Sequence, residues 1–172
     1  MTRNVLLLAS GLALGITVPA RAQAGSPLDA LPTIGVHVIG VSSVATNAGI
    51  DSVDLRQRVE RQLRRAGFEI AGVAELARRP ETPRLVVNLG FFTTRDSSGV
   101  YSVLLELVEL VQLKRNGLET HAVGWSEQAL GISSIAQSVE STREATAALV
   151  DLFLSQSRRA TLGGPAGGRG PQ

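Results

Sequence analysis

Residues 84–130 read RLVVNLGFFTTRDSSGVYSVLLELVELVQLKRNGLETHAVGWSEQAL. Three runs rich in Val, Leu and Phe, the first and last of them mixed with polar residues and the middle one apolar on both faces, are separated by two groups of turn-forming residues, Asp96-Ser97-Ser98-Gly99 and Asn116-Gly117. A period of two, bounded by Gly, Asn, Asp and Ser, is the pattern of strands joined by tight hairpins. Asn-Gly in particular favours a two-residue type I′ turn. The stretch predicts an antiparallel meander with strands over 84–94, 100–114 and 118–130. Upstream, TIGVHVIGV at 33–41 alternates and is β-branched, so it reads as a further strand. The Ser/Asn/Gly-rich stretch 40–50 reads as a loop. Asp51 or Ser52 can cap a helix running to Ala66, with Val53, Leu55, Val59, Leu63 and Ala66 on one side and Gly67 at its end. A short strand at 68–71 follows, then one or two helical turns over 73–79, stopped by Pro80. Downstream, Ser134-Ile135-Ala136-Gln137 has capping-box spacing. It opens a last helix whose stripe is Ile135, Val139, Thr142, Thr146, Leu149, Val150 and Phe153.

The order is β-α-β-(α)-β-β-β-α. It implies an α/β (α+β) two-layer sandwich, with a mixed, mostly antiparallel sheet and helices on one face. A turn centred on Asn116-Gly117 sets Val108 opposite Trp125, Leu110 opposite Val123 and Glu106 opposite Glu127. A turn centred on Ser97-Ser98 sets Val87 opposite Val108 and Phe91 opposite Leu104. On that register the helices cover Leu85, Val87, Leu89, Phe91, Leu104, Val108, Leu110, Val123 and Trp125. The open face then carries Val86, Asn88, Gly90, Phe92, Val103, Leu105, Leu107, Glu109 and Val111, beside Ala122, Gly124 and Ser126. Phe92, Val103, Leu105 and Leu107 are its apolar row and the candidate interaction face. A bulge in the long strand shifts this assignment by one residue.

The chain has 172 residues, no Cys and 44% hydrophobic residues, enough for one domain with a proper core. The absence of Cys excludes a disulfide scaffold, a thiol nucleophile and a cysteine zinc site. Residues 1–24 have the grammar of a secretory signal: Arg3, an apolar run over 5–18, Pro19, then Ala22-Gln23-Ala24. The run is short for a membrane span of about 20 residues, so cleavage before Gly25 and a periplasmic or secreted product are expected. Removing Arg3 and Arg21 leaves 15 basic residues against 15 acidic ones. A neutral exported chain with 3% aromatic residues is a poor nucleic-acid binder. Residues 25–32 read as a leader, 33–158 as the single domain, and 159–172 as a Gly/Pro-rich disordered tail.

The side chains that carry chemistry are scattered. His37 and His121 sit on predicted strands with no HExxH or HxH around them. Ser126 lies in Gly124-Trp125-Ser126-Glu127-Gln128, which lacks the second Gly of a nucleophile elbow. His121 is read as pointing to the opposite face from Ser126. Glu106 and Glu127 are expected as cross-strand neighbours, an unfavourable pairing unless solvated or bridged. Gly35, Gly40 and Gly49 fit no phosphate loop. Arg56, Arg58, Arg61, Arg64 and Arg65 could meet acidic lipid headgroups. They read better as a solvated helix face with Asp54–Arg58 and Glu60–Arg64 pairs. No catalytic residue, metal ligand or cofactor is assigned.

Five segments carry a resemblance: LRQRVERQLRRAGFEI at 55–70, PRLVVNL at 83–89, YSVLLELVELVQL at 101–113, GWSEQALG at 124–131 and VDLFLSQ at 150–156. Together they resemble a group of small, uncharacterised exported bacterial proteins. The element order is similar to small α/β domains of envelope proteins, such as the N-terminal domain of the Tol-system translocation protein and the curli secretion channel. The resemblance implies an exported fold and supplies no catalytic residues to carry over. The expected function is a non-enzymatic envelope accessory or interaction domain, acting on an envelope protein partner or by self-association, with lipid contact as a further option. The alternative is a carrier of a small apolar ligand or lipid. A hydrolase built from scattered carboxylates ranks third.

Overall fold

The computed structural model describes residues 33–163 together with Leu28 and Leu31. The expected signal segment, most of the leader and residues 164–172 lie outside the described residues. The strands are β1 (Thr33–Ile39), β2 (Glu69–Ile70), β3 (Arg84–Thr93), β4 (Ser98–Gln112) and β5 (Glu119–Ser134). The helices are α1 (Ser43–Asn47), α2 (Ser52–Arg65), α3 (Val73–Arg78) and α4 (Ser138–Gly163), the last preceded by a 3-10 turn over Ile135–Gln137. The sheet order is β2-β1-β3-β4-β5. β1 runs parallel to both its neighbours, while β3, β4 and β5 form the antiparallel meander. The fold is therefore the α+β arrangement that the alternation of residues 84–130 implies.

Local chemistry sets the helix limits. The Asp51 carboxylate accepts from the Val53 N–H at 2.8 Å and caps α2, and Gly67 with φ 98° stands beyond its end. Leu55, Val59 and Leu63 are its buried stripe, but Val53 lies outside it, on the exposed side. The stretch read as a loop at 40–50 contains α1, capped by the Ser42 hydroxyl, which accepts from Ala45 N–H at 3.2 Å. α4 begins at Ser138 rather than Ser134, because the intervening turn is 3-10. It runs on to Gly163, so the first residues of the expected tail belong to a helix. Leu28, expected in a leader, is buried in the core cluster.

The core lies between the sheet and the pair α2 and α4. From the sheet come Ile34, Val36, Leu85, Val87, Leu89, Val103, Leu105 and Leu107; from the helices come Leu55, Val59, Leu63, Leu149, Val150 and Phe153. Val103, Leu105 and Leu107 are 0% exposed. Their expected place on an open face is thus corrected: the strand is turned over. Thr94 and Ser98 close the first hairpin around only three residues, with Thr94 N–H donating to the Ser98 carbonyl at 2.9 Å. Ser97 takes φ 63°, and the Asp96 carboxylate accepts from both Thr94 and Ser98. Side chains therefore pull the turn back to centre on Asp96, which pairs Val87 with Leu105 instead of Val108. Three-residue loops ending in a left-handed residue are a standard hairpin solution. The odd shift moves every β4 side chain to the other face.

The second hairpin also differs from a type I′ turn. Only Gly117 has a positive φ, of 69°, and Leu113 N–H bonds the Leu118 carbonyl at 2.8 Å around a four-residue loop. A bulge then interrupts the β4–β5 ladder: Leu107 faces Trp125, and Val108 faces Val123. Gly124 is the extra residue. Beyond the bulge Glu106 pairs with Ser126, and Leu105 with Glu127. Glu106 and Glu127 therefore lie on opposite faces, not opposite each other.

Candidate functional site

The face turned away from α2 and α4 can be read row by row across the ladder. Phe92, Val100 and Ile132 form one row, and Gly90, Ser102 and Leu130 the next. Ile39, Asn88, Leu104 and Gln128 follow, then His37, Val86, Glu106 and Ser126, then Arg84, Val108 and Val123. Ile132 is 74% exposed, Leu130 72%, Phe92 59% and Val123 51%. Of the apolar row expected there, Phe92 is in place, and of the wider face so are Val86, Asn88, Gly90 and Ser126. The long row on β4 is Val100, Leu104, Val108 and Leu110 in place of Val103, Leu105 and Leu107. Leu130 closes the strand expected over 118–130 and Ile132 lies beyond it, but β5 runs on to Ser134 and brings both onto this face. Their signal is the continued alternation Leu130-Gly131-Ile132-Ser133. Polar groups are interspersed, and Gln128 donates from Nε2 to the Ser102 hydroxyl at 2.9 Å.

The scattered catalytic candidates stay apart. The bulge puts His121 and Ser126 on the same face, against the sequence expectation of opposite ones. Their β4 partners Leu110 and Glu106 are four residues apart, which is about 13 Å along a strand. His37 lies three strand spacings from Ser126 in the same row, about 14 Å away. Neither distance permits a hydrogen bond. Among the described residues no group of three His, Asp or Glu side chains could hold a metal ion. Glu109 is in step with Leu107 and half-buried, and burial pushes its carboxyl above the usual range.

Arg58 and Arg64 of α2 are paired on their own helix, while Asp54 and Gln62 of α2 are tied to α4. Arg58 donates from Nε to Asp54 at 2.9 Å, and Arg64 to Glu60 at 3.0 Å. These are the i,i+4 pairs the sequence implies. Arg143 of α4 reaches the same Asp54 carboxylate at 2.8 Å, and Gln62 donates to Asp151 at 2.7 Å. This clasp joins the two helices over the core. Burial pushes the Asp54 carboxyl up, but hydrogen bonds from Arg58 and Arg143 outweigh it and hold it below its ordinary 3.8. A depressed carboxylate stabilises the fold fully above its unfolded value and loses that contribution as pH falls through the folded one. Asp54→Asn is therefore expected to lower the melting temperature at neutral pH. That difference from wild type should shrink as the pH drops below 3.8. A difference that stays constant through the acid range would show that the Asp54 charge contributes nothing to the clasp.

No helix among the described residues is long and apolar enough to cross a membrane. No protein-family model and no curated protein sequence matches the chain. Solved structures do. The chain is similar to the PelC dodecamer from Paraburkholderia phytofirmans at 18% identity and TM-score 0.45, over 72% of this chain and 86% of that one. It is similar to a minor lipoprotein from Acinetobacter baumannii at 9% identity and TM-score 0.36, over 75% of this chain and 94% of that one. A third is lipoprotein GNA1162 from Neisseria meningitidis, at 16% identity and TM-score 0.36, over 74% of this chain and 99% of that one. The similarity is at the level of fold.

Proposed function

We propose that the protein is a non-enzymatic interaction domain of the bacterial envelope, exported by the segment 1–24, and that it works through the uncovered sheet face. The observation that carries this reading is the apolar surface of Phe92, Val100, Leu104, Val123, Leu130 and Ile132, set around a polar row of Glu106, Ser126 and His37. Contiguous apolar surface rimmed by polar groups is what association removes from water. The carrier reading has less support. Two recesses of about 540 and 530 Å³ flank α2, and both are open and have charged side chains in their walls. An apolar ligand calls for an enclosed, largely apolar cavity.

The test is a double substitution, Leu130→Glu with Ile132→Glu. Both side chains are exposed near the end of an edge strand, so the melting curve should match wild type. Light scattering and a pull-down from envelope extract should show lower mass, or loss of a retained protein, in the variant alone. Identical mass and identical retained proteins would sink the reading.

A further inference from the structure

β1 is seven residues long, but β2 pairs with only Thr33 and Ile34. From Gly35 to Ile39 this edge of the sheet has no strand partner among the described residues. The Ile34 carbonyl accepts from Ala71 N–H on the β2 side at 3.0 Å, and Gly35 N–H donates to Pro83 on the β3 side at 2.8 Å. Hydrogen-bonding direction alternates along a strand, so Val36 and Val38 turn their N–H and C=O groups to the free edge. The edge is not blunted by proline, lysine or a bulge. It lies instead at the floor of the 540 Å³ recess, between α2, with Val53, Arg56 and Glu60, and α3, with Val73, Leu76 and Ala77. The absence of a side chain at residue 35 lets the α3 wall close in, since a Cβ there would stand 2.7 Å from Leu76 Cδ2.

Charge identifies what fits this groove. Arg56 and Arg84 both contribute to its lining, and the Nε of each is buried with no hydrogen-bond acceptor among the described residues. The carboxylate near Arg56 is Glu60 at 3.7 Å, which is already held by Arg64 at 3.0 Å. Arg84 forms no ion pair among the described residues. Two Nε–H donors without hydrogen-bond acceptors thus flank a backbone row without a strand partner among the described residues. Arg56 is on α2, over one face of the sheet. Arg84 is in step with Gly35, on the face that Leu76 overlies. Successive side chains of an added strand point to opposite faces and so reach one arginine each. We propose that this groove binds an extended acidic peptide segment of a partner protein, which adds as a strand to β1 in line with β2. Its backbone pairs with Val36 and Val38, and its carboxylates take the Nε–H donors of Arg56 and Arg84.

The test is a titration of the ¹⁵N-labelled protein with an acetylated, amidated heptapeptide of valines and threonines with two adjacent glutamates at its centre, whose side chains point to opposite faces of the added strand, followed by NMR. The expected result is a saturable shift of the Val36 and Val38 amides and of the Arg56 and Arg84 Nε–H signals. Arg84→Gln, or glutamine in place of glutamate in the peptide, should each weaken binding roughly tenfold. Val38→Pro should abolish it with the circular dichroism unchanged, because that N–H is not used within the sheet. If that variant misfolds, Arg84→Gln carries the test alone. No saturable shift at millimolar peptide, equal binding of the neutral peptide, or shifts centred on Leu130 and Ile132 would each overturn the proposal. The groove lies apart from Leu130 and Ile132, so it and the sheet-face reading fail separately.

Discussion

Leu105→Lys is expected to leave no folded domain under conditions where the wild type is stable, and Leu105→Ala to cost about 2–5 kcal/mol. Leu105 is 0% exposed. It is at the middle of the central run of β4, between Val87 on one side and Glu127 on the other, and within the cluster that α2 and α4 cover. The cross-strand neighbour on that face is Glu127, half-buried on the edge strand; a lysine drawn toward it vacates the packed Leu105 site, and an ammonium left in the layer is buried without hydration, which costs more than a domain of this size can spare. Circular dichroism melting and urea denaturation read the result directly. A folded Leu105→Lys protein with a wild-type melt would place the side chain on an open face and overturn the core described above. Leu104→Lys, one residue away on the uncovered face, is the control and should melt close to wild type.

That pair of neighbouring residues shows what the sequence could and could not reveal. Alternation along residues 84–130 identifies three strands, and it separates Leu85, Val87, Leu89 and Phe91 from Val86, Asn88, Gly90 and Phe92, as the structure does. In β4 the alternation is silent, because Val103, Leu104, Leu105, Leu107, Val108 and Leu110 are apolar on both faces. Only the turn could fix which set faces in. Turn position depended on Asp96 accepting from Thr94 and Ser98, and on Ser97 adopting a left-handed conformation usually left to glycine. Neither follows from residue type alone. The open face was thus legible as a property of the sheet, while its β4 members were not. The groove beside β1 was not legible at all. It depends on β2 being two residues long, which is a fact about where Gly72 diverts the chain into α3 rather than about hydrophobic pattern.

Trp125 reached its correct place in the sequence reading through compensating errors. The expected register paired it with Val108, taken as a helix-facing residue. The structure pairs it with Leu107, which is the true one, because the hairpin shift and the Gly124 bulge together restore its face. Its indole meets the buried Phe153 edge-on, with ring centres 5.2 Å apart, and Nε1–H donates to the Gln156 side chain at 2.6 Å. Phe153 in turn lies 6.0 Å from Phe68. β5 is an edge strand, hydrogen-bonded to β4 alone, so this contact with α4 is what pins its middle to the helical layer. Trp125→Ala should therefore cost about 3 kcal/mol, the low end for an aromatic truncation, since the indole is only half-buried. Trp125→Phe keeps the ring contact but strands the Gln156 amide, and should cost about 1 kcal/mol. As the sole tryptophan, it reports on itself: emission should be partly shielded from acrylamide in the native state and shift to the red on unfolding. Freely quenched, red-shifted emission in the folded protein would detach the indole from Phe153. Because β5 also carries Leu130 and Ile132, a loosened β5 should weaken any association through the uncovered face. Trp125→Ala is then expected to lose both stability and partner mass, whereas the Leu130→Glu, Ile132→Glu variant loses only the second.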